Sequence, residues 1–181
     1  MEPSDSELVL KCLEAKEAFA ELYRRHAPPV YAFLKGMHRG DEHAAADSLQ
    51  ETFLRAFNAL RRFDRSRPLR PWLLTIAGNV ARDVLARSKK VQYRAEVPDR
   101  PSGEQPIPET VATNEVCFTL LDRVAPRVSP RAVAAFLLAR CQGLSYSEIA
   151  TINECSQATV KRDLADAMAA LSGAAAEMGL V

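Results

Sequence analysis

The sequence predicts an all-α protein of two small helical domains joined by a flexible linker, with a helix-turn-helix in the second domain. Apolar residues recur at intervals of three and four along most of the 181 residues, glycine is scarce at 7, and the alternation typical of strands is absent. The periodicity fails over residues 91–108, which hold four of the 11 prolines and few large apolar side chains. We therefore place the domains at 1–90 and 116–181, with 91–115 as the linker.

Composition excludes several classes of protein. With 48% apolar and 26% charged residues, the chain is typical of soluble globular proteins. No apolar run approaches the ~20 residues of a membrane span, and the N-terminus lacks the features of a secretory signal, so we expect a cytoplasmic protein that is not itself a membrane protein. The four cysteines form no CxxC pair, and His26, His38 and His43 show no ligand spacing. We expect surface histidines, no metal site and no cofactor.

Positive charge is concentrated in one segment. The net charge is +1, yet residues 61–90 hold nine basic and two acidic side chains, while the flanking segments are each acidic overall. A solvated helix surface explains such a run, but it is also the electrostatic footprint of a nucleic-acid-binding surface.

Residues 44–60 form a predicted helix with two different faces. Leu49, Phe53, Phe57 and Leu60 make a stripe that should be buried. Polar residues and one large apolar side chain recur on the opposite face, at Asp47, Gln50, Glu51, Leu54 and Asn58. This face is either a solvated surface with one exposed leucine or a docking surface for a basic, partly apolar protein.

In the preceding helical pattern, Ala15 to Met37, two adjacent prolines, Pro28 and Pro29, predict a break or kink.

The basic segment combines arginines with aromatic residues. A loop containing Phe63 leads into a helix whose Leu73, Ile76, Val80 and Val84 should face inward, with Trp72 expected in the core. The outward basic side chains are Arg82, Arg87, Lys89 and Lys90. Basic groups beside an aromatic ring suit single-stranded or distorted DNA, since phosphates are neutralised and an unstacked base is held.

Residues 145–168 predict a helix-turn-helix. Ser145 and Glu148 match a capping box, Ser156 is a suitable N-cap for the second helix, and Asn153 in the turn is suited to a left-handed conformation. A buried stripe is expected at Val160, Leu164, Ala167, Met168 and Leu171, packed on Ile149 and Ile152. Gln157, Lys161 and Arg162 should face DNA, with Asp163 and Asp166 on the flank. An ordinary αα-hairpin in a helical core is the alternative.

Four stretches together resemble bacterial RNA polymerase sigma factors of the extracytoplasmic-function class, in the sigma-70 family. They occur in the family's order and are FAELYRRHAPPVY (19–31), AADSLQETFLRAF (45–57), PWLLTIAGNVARDVLARSKK (71–90) and VSPRAVAAFLLARCQGLSYSEIATINECSQATVKRDLADAMAAL (128–171). The chain departs from the family pattern at Asn153 and Glu154, where Leu-Gly is common, and it has no arginine after residue 162.

The resemblance implies a role for each surface. The helix at 44–60 is expected to dock on the largest polymerase subunit through Asp47, Gln50, Glu51, Leu54 and Asn58. The basic segment, whose loop captures a flipped-out base, is expected to bind the minus-ten promoter element through Arg61, Arg62, Phe63, Arg65, Arg67, Arg70, Asn79, Arg82, Asp83, Arg87, Lys89 and Lys90. The second helix of the helix-turn-helix is expected to bind the minus-thirty-five element through Ser156, Gln157, Thr159, Lys161 and Arg162.

The expected function is therefore that of an alternative sigma factor. Its partners would be core RNA polymerase, promoter DNA and an anti-sigma factor, with no small-molecule substrate and no enzymatic activity. From the residues alone, two other functions stay open. A helix-turn-helix regulator acting as a homodimer leaves the Asp47/Leu54 face unexplained, and a polymerase-binding adaptor that reads no promoter leaves the basic segment unexplained.

Overall fold

A computed structural model of the chain describes residues 3–92, 115–124 and 126–178, without the side chains of residues 16, 88–92 and 115–119. Its elements are α1 (Asp5–Glu14), a 3-10 turn (Lys16–Ala18), α2 (Phe19–Met37), α3 (Glu42–Ala59), a 3-10 turn (Leu60–Arg62), α4 (Leu69–Gln92), α5 (Glu115–Val124), α6 (Pro130–Arg140), α7 (Tyr146–Ile152) and α8 (Gln157–Glu177). The all-α prediction is confirmed. No helix within these ranges has both the length and the apolar character needed to cross a membrane.

The N-terminal half packs α2, α3 and α4 around one apolar core, with α1 against α2. Phe33, Leu34, Phe53 and Leu73 are among its buried residues. The predicted stripe of α3 is largely confirmed, since Phe57 is half-buried and the other three members are buried. On α4, Leu73 and Val80 are buried as expected, whereas Ile76, Val84 and Trp72 are only half-buried.

Of the break or kink predicted at Pro28 and Pro29, the break is absent. Helix α2 runs without interruption from Phe19 to Met37 with both prolines inside it. Each proline removes one backbone donor. The helix continues because Val30, Phe33 and Leu34 are completely buried after the prolines, so tertiary packing outweighs the local cost.

The prediction of surface histidines is wrong for two of the three. His26 is buried and its Nε2 lies 3.1 Å from Oδ1 of Asp5, while buried His38 places its Nε2 2.8 Å from Oγ of Ser48. Burial lowers the pKa of both imidazoles, against an opposing effect of a nearby aspartate. His43 is exposed as expected.

The C-terminal half packs α5, α6 and α7 on α8. Ile149, Ile152, Val160 and Leu164 form the buried contacts predicted for the helix-turn-helix. Met168, also predicted to be buried, is exposed, and its Sδ lies 3.5 Å from Nη2 of Arg140.

The two halves are in contact, through α2 with α6 and α4 with α7. Leu137 of α6 lies against Gly36 of α2, in the space that a Cβ at residue 36 would take. Buried Gln142 donates from Nε2 to the carbonyl of Pro29 at 3.0 Å. One continuous apolar core therefore spans both halves. The central part of the predicted linker, residues 93–114, lies outside the described residues.

Candidate functional site

The outer face of α3 exposes a leucine between polar residues. Leu54 is 57% exposed, and Asp47, Gln50 and Asn58 beside it are exposed as well. Four aromatic rings support this face from below. Tyr23 packs on Phe53 with ring centroids 4.7 Å apart, and Phe19 packs on Phe57 at 5.0 Å, both edge to face. Together these residues line an open groove with an apolar floor and a polar, partly acidic rim.

Glu51 differs from its neighbours because it is engaged within the protein. Arg55 donates from Nε to Oε1 of Glu51 at 2.7 Å and from Nη1 to Oδ2 of Asp83 at 3.3 Å. Arg55 therefore links the α3 face to α4 by binding two predicted site residues, Glu51 and Asp83. For Asp47, by contrast, no ion pair exists within the described part of the chain, which leaves its carboxylate available to a partner.

The loop between α3 and α4 presents a cluster of basic side chains. Arg61, Arg62, Arg65 and Arg67 are all exposed. The loop is ordered by Asp64, whose Oδ1 accepts from the backbone N–H of Ser66 at 3.0 Å and from its hydroxyl at 2.7 Å. These hydrogen bonds lower the pKa of Asp64, which therefore remains a carboxylate at neutral pH.

Two aromatic rings lie beside this loop, at the mouth of a cavity. Phe63 and Trp72 are half-buried, with centroids 4.8 Å apart and planes tilted by 44°. They line a cavity of ≈ 380 Å³ together with Arg62 and Arg67, and α7 closes its far side through Glu148 and its neighbours. The lining combines aromatic faces and guanidinium groups, which suit a base and its phosphate, with the carboxylates of Asp64 and Glu148.

The remaining predicted residues of α4 differ in their surroundings. Asn79 accepts a hydrogen bond from Arg82 through its side-chain oxygen, and Arg87 is exposed. Arg70 is turned inward instead. Its Nη2 donates to Oε1 of Gln142 at 2.5 Å, and its Nε is buried with no partner in the described residues. The side chains of Lys89 and Lys90 lie outside the described residues.

The turn of the helix-turn-helix differs from the prediction in its backbone. The capping box of Ser145 and Glu148 and the N-cap of Ser156 are present as expected. Asn153, however, has φ −89 and is buried, whereas Glu154 takes the left-handed conformation with φ 51. Asn153 serves as the C-cap of α7, so the reversal of the chain falls one residue later.

Helix α8 exposes the residues predicted to face DNA. Gln157, Lys161 and Arg162 are exposed, while Thr159 is half-buried. The hydroxyl of Ser156 caps the helix, accepting from the backbone N–H of Thr159 at 3.1 Å. The expected flank position holds for exposed Asp166, but Asp163 is buried against Arg131.

Three residues that the sequence did not indicate therefore support these surfaces, and one of them, Gln142, is itself buried. Arg55, Arg131 and Gln142 each hold a predicted site residue or an immediate neighbour of one. The Glu51–Arg55 pair has the four-residue helical spacing that marks a possible ion pair in a sequence. The contacts of Arg131 and Gln142 span more than thirty residues of chain, and no spacing rule connects such positions.

Comparison with known proteins identifies the chain. The Sigma-70 region 2 model matches residues 22–91, and the Sigma-70 region 4 model matches residues 119–171. RNA polymerase sigma factor CarQ of Myxococcus xanthus is 33% identical over 78% of this chain and 80% of its own. ECF RNA polymerase sigma factor SigE of Mycolicibacterium smegmatis is 31% identical over 75% of this chain and 52% of its own. The chain belongs to the extracytoplasmic-function class of the sigma-70 family.

The surfaces described above fall within the matched regions of this sigma factor. The α3 face and the basic loop belong to region 2, and the helix-turn-helix belongs to region 4. Among solved structures, RpoE of Bartonella quintana, in complex with the anti-sigma factor NepR, aligns with a TM-score of 0.65 over 86% of this chain and 95% of RpoE. At 22% sequence identity, this structural similarity shows a shared fold.

Proposed function

We propose that this sigma factor binds core RNA polymerase in the cytoplasm, directs it to promoters through two DNA-binding surfaces, and assists melting by holding an extruded base. It activates a stress or signal regulon. The observation that carries the proposal is Leu54, a large apolar side chain left exposed beside Asp47 and Gln50 over an aromatic floor. A single exposed leucine needs no partner, but Leu54 borders an open groove lined by aromatic rings, and a contiguous apolar patch with a polar rim is typical of a protein-binding surface.

The partner of this α3 face should be a basic, partly apolar protein surface. Asp47 offers a free carboxylate and Leu54 an apolar anchor, so a helix carrying arginines and small apolar residues complements both. Core RNA polymerase supplies that surface in the proposal. Asn58 and Gln50 would then form the polar rim of the contact, with Glu51 contributing through Arg55.

The basic loop is proposed to bind the minus-ten element. Arg61, Arg62, Arg65 and Arg67 project into solvent, where they neutralise phosphates without a need for ordered partners. Phe63 and Trp72 offer ring faces on which an unpaired base stacks, an interaction of about 1–3 kcal/mol per base. Melting follows because a base held outside the helix no longer contributes to pairing; no covalent step is involved.

Helix α8 is proposed to read the minus-thirty-five element in the major groove. Gln157 at its N-terminus and Lys161 and Arg162 one turn later share the exposed side. These three side chains form a small set of contacts, which predicts weak binding by this domain alone. Both DNA-binding surfaces act from one polymerase-bound protein, so each raises the effective concentration of the other at a promoter.

We also propose that an anti-sigma factor controls this protein. The structurally similar RpoE is solved in complex with the anti-sigma factor NepR. By analogy, a partner that covers the α3 face would keep the protein from polymerase, and the exposed groove is a ready surface for it.

The test is a paired set of variants assayed with core RNA polymerase. Asp47→Arg with Leu54→Gln alters the α3 face but leaves the Glu51–Arg55–Asp83 contacts in place. Glu14→Arg with Leu10→Gln is the matched control, since α1 also exposes an acidic residue and a leucine, 42% accessible, on its surface. Polymerase binding and specific initiation on fragments of the source genome are measured for both. We expect loss in the first variant alone.

Equal behaviour of the two variants would refute the assignment of the α3 face. A wild-type protein that ignores core polymerase yet protects a palindromic site as a dimer would instead establish the helix-turn-helix regulator.

A further inference from the structure

Helix α8 contains a buried carboxylate next to the residues proposed to face DNA. Asp163 is 4% exposed and is the single acidic side chain among the buried polar residues of the described ranges. It directly follows exposed Lys161 and Arg162 along the helix. A carboxylate removed from water is costly unless it is paired and hydrogen-bonded. The burial of Asp163 therefore requires a specific partner.

Arg131 of α6 is that partner, and it binds in a two-bonded geometry. Its Nε lies 2.6 Å from Oδ2 of Asp163, and its Nη2 lies 3.2 Å from Oδ1. Two parallel N–H···O bonds fix the relative orientation of both groups, which a single lysine ammonium does not. The hydrogen bonds to Asp163 also raise the pKa of Arg131, so its charge is retained at any working pH.

The position of Arg131 in its own helix argues for a role in this contact. It is the second residue of α6, where the helix dipole disfavours a positive charge. Its stabilising partner is therefore found across the interface, on α8. The two helices also pack through buried apolar residues, but apolar burial is non-directional, whereas a planar two-bonded pair specifies the orientation of both groups.

Such rotations matter for DNA recognition. With a helix radius of about 5–6 Å including side chains, a rotation of α8 by ~10° moves a surface atom by about 1 Å. Hydrogen bonds to base edges tolerate only about half an ångström in distance. Fixing the rotation of α8 thus fixes whether Lys161 and Arg162 meet their acceptors.

We propose that Arg131 is a positioning residue for promoter recognition, holding α8 in the rotation that presents Lys161 and Arg162 to the groove. The inference rests on the proposed function, in which α8 reads the upstream promoter element. It also explains how residues 161–166, whose net charge is zero, can belong to a DNA-binding helix. Arg131 of another helix neutralises Asp163 away from the side that faces DNA.

Four variants of the full-length protein separate positioning from simple stabilisation. Arg131→Met leaves the carboxylate of Asp163 unpaired, and Arg131→Met with Asp163→Asn replaces the ion pair by two neutral side chains. Arg131→Asp with Asp163→Arg exchanges the two members of the pair. Arg131→Lys keeps the positive charge but cannot form the two parallel hydrogen bonds of a guanidinium. The matched control is Arg127→Met with Glu177→Gln, an exposed ion pair at 3.3 Å that joins the segment before α6 to the far end of α8.

Two quantities are measured for each variant. The first is the thermal stability of the free protein. The second, measured with the variant bound to core polymerase, is the ratio of its affinities for duplexes recovered from the source genome and for the same duplexes with the upstream element scrambled. Arg131→Met should lower both. The neutral pair should recover stability but lose about tenfold in the affinity ratio, the value of one good base contact. The exchanged pair should recover both, and the control should match wild type.

A neutral pair that keeps the wild-type affinity ratio would overturn the proposal and leave Arg131 with a structural role alone. If the neutral pair fails to fold, Arg131→Lys decides: a wild-type ratio there also overturns it, and a reduced ratio at normal stability supports it. Failure of the proposed function looks different, because the wild-type protein would then show no dependence on the upstream element, or Lys161→Ala would keep the wild-type affinity ratio.

Discussion

Replacing Gly36 by alanine tests the contact between the two halves of the molecule. An ideal Cβ at residue 36 would lie 2.6 Å from Cδ2 and 2.7 Å from Cδ1 of Leu137, which belongs to the other half. Carbon atoms pack comfortably at about 3.5–4.0 Å. The side chain of Leu137 must therefore retreat by roughly 1 Å in a region where it is completely buried.

The magnitude follows from two opposing contributions. Overpacking of a buried site costs about 1–3 kcal/mol, and exchanging glycine for alanine inside a helix returns about 1 kcal/mol. Gly36→Ala should therefore lower the free energy of unfolding by about 1 kcal/mol. Gly173→Ala in α8 is the control, because its Cβ position has no heavy atom within 4 Å other than those of its chain neighbours and its own helix backbone, and it should raise stability by about 1 kcal/mol.

The assay is urea denaturation of the three proteins followed by circular dichroism, with Leu137→Ala as an additional background. In that background the added methyl group no longer meets the leucine branches, so Gly36→Ala should become stabilising. If Gly36→Ala stabilises the wild-type protein as much as Gly173→Ala does, the packing of Leu137 of α6 on Gly36 of α2 is absent in solution.

Two further predictions concern protonation and the turn. Burial lowers the pKa of His38 from its ordinary 6.5, with nearby Asp41 opposing, so the unfolded state takes up the proton first. Stability should therefore fall as pH drops below 6.5, by up to about 1.4 kcal/mol per pH unit for this group. Buried His26, whose pKa is also lowered by burial, contributes in the same direction. His38→Gln should therefore reduce the loss of stability between pH 7 and 5 without removing it, and exposed His43→Gln should leave it unchanged. A wild-type stability that is independent of pH in this range would contradict the burial. Glu154→Gly should raise the melting temperature, because a left-handed residue with a Cβ costs about 1 kcal/mol, whereas Asn153→Gly, at φ −89, should lower it. If both substitutions change the melting temperature in the same direction, the backbone geometry of the turn is contradicted.

Local rules predicted much of the fold. The capping box of Ser145 and Glu148 and the N-cap at Ser156 depend on residues three apart, so the sequence alone determines them. The two faces of α3 follow equally from helical periodicity. The prolines of α2 show the limit, because propensity predicts a break and the packing of distant helices overrides it.

The exposed residues of the site could be predicted from the sequence, but the long-range contacts that orient them could not. On α8, Asp163 and Met168 lie at about equal angles, roughly 70°, on either side of the apolar stripe. Polarity favours burying the methionine, yet Asp163 is buried because α6 brings Arg131 to that side. Such a pairing depends on the relative placement of two helices, which no single-helix pattern contains.

Arg70 enters the proposed promoter complex with both hydrogens of its Nη2 group directed at Gln142, one at the side-chain Oε1 at 2.5 Å and one at the backbone carbonyl at 3.4 Å. An N–H group serves one acceptor at a time, so a phosphate that binds Nη2 of Arg70 must displace one of these two oxygens of Gln142. The gain is then a difference between two bonds, on the order of 1 kcal/mol, rather than the full strength of a charge-assisted contact. DNA and the region 4 half of the molecule compete for the same guanidinium.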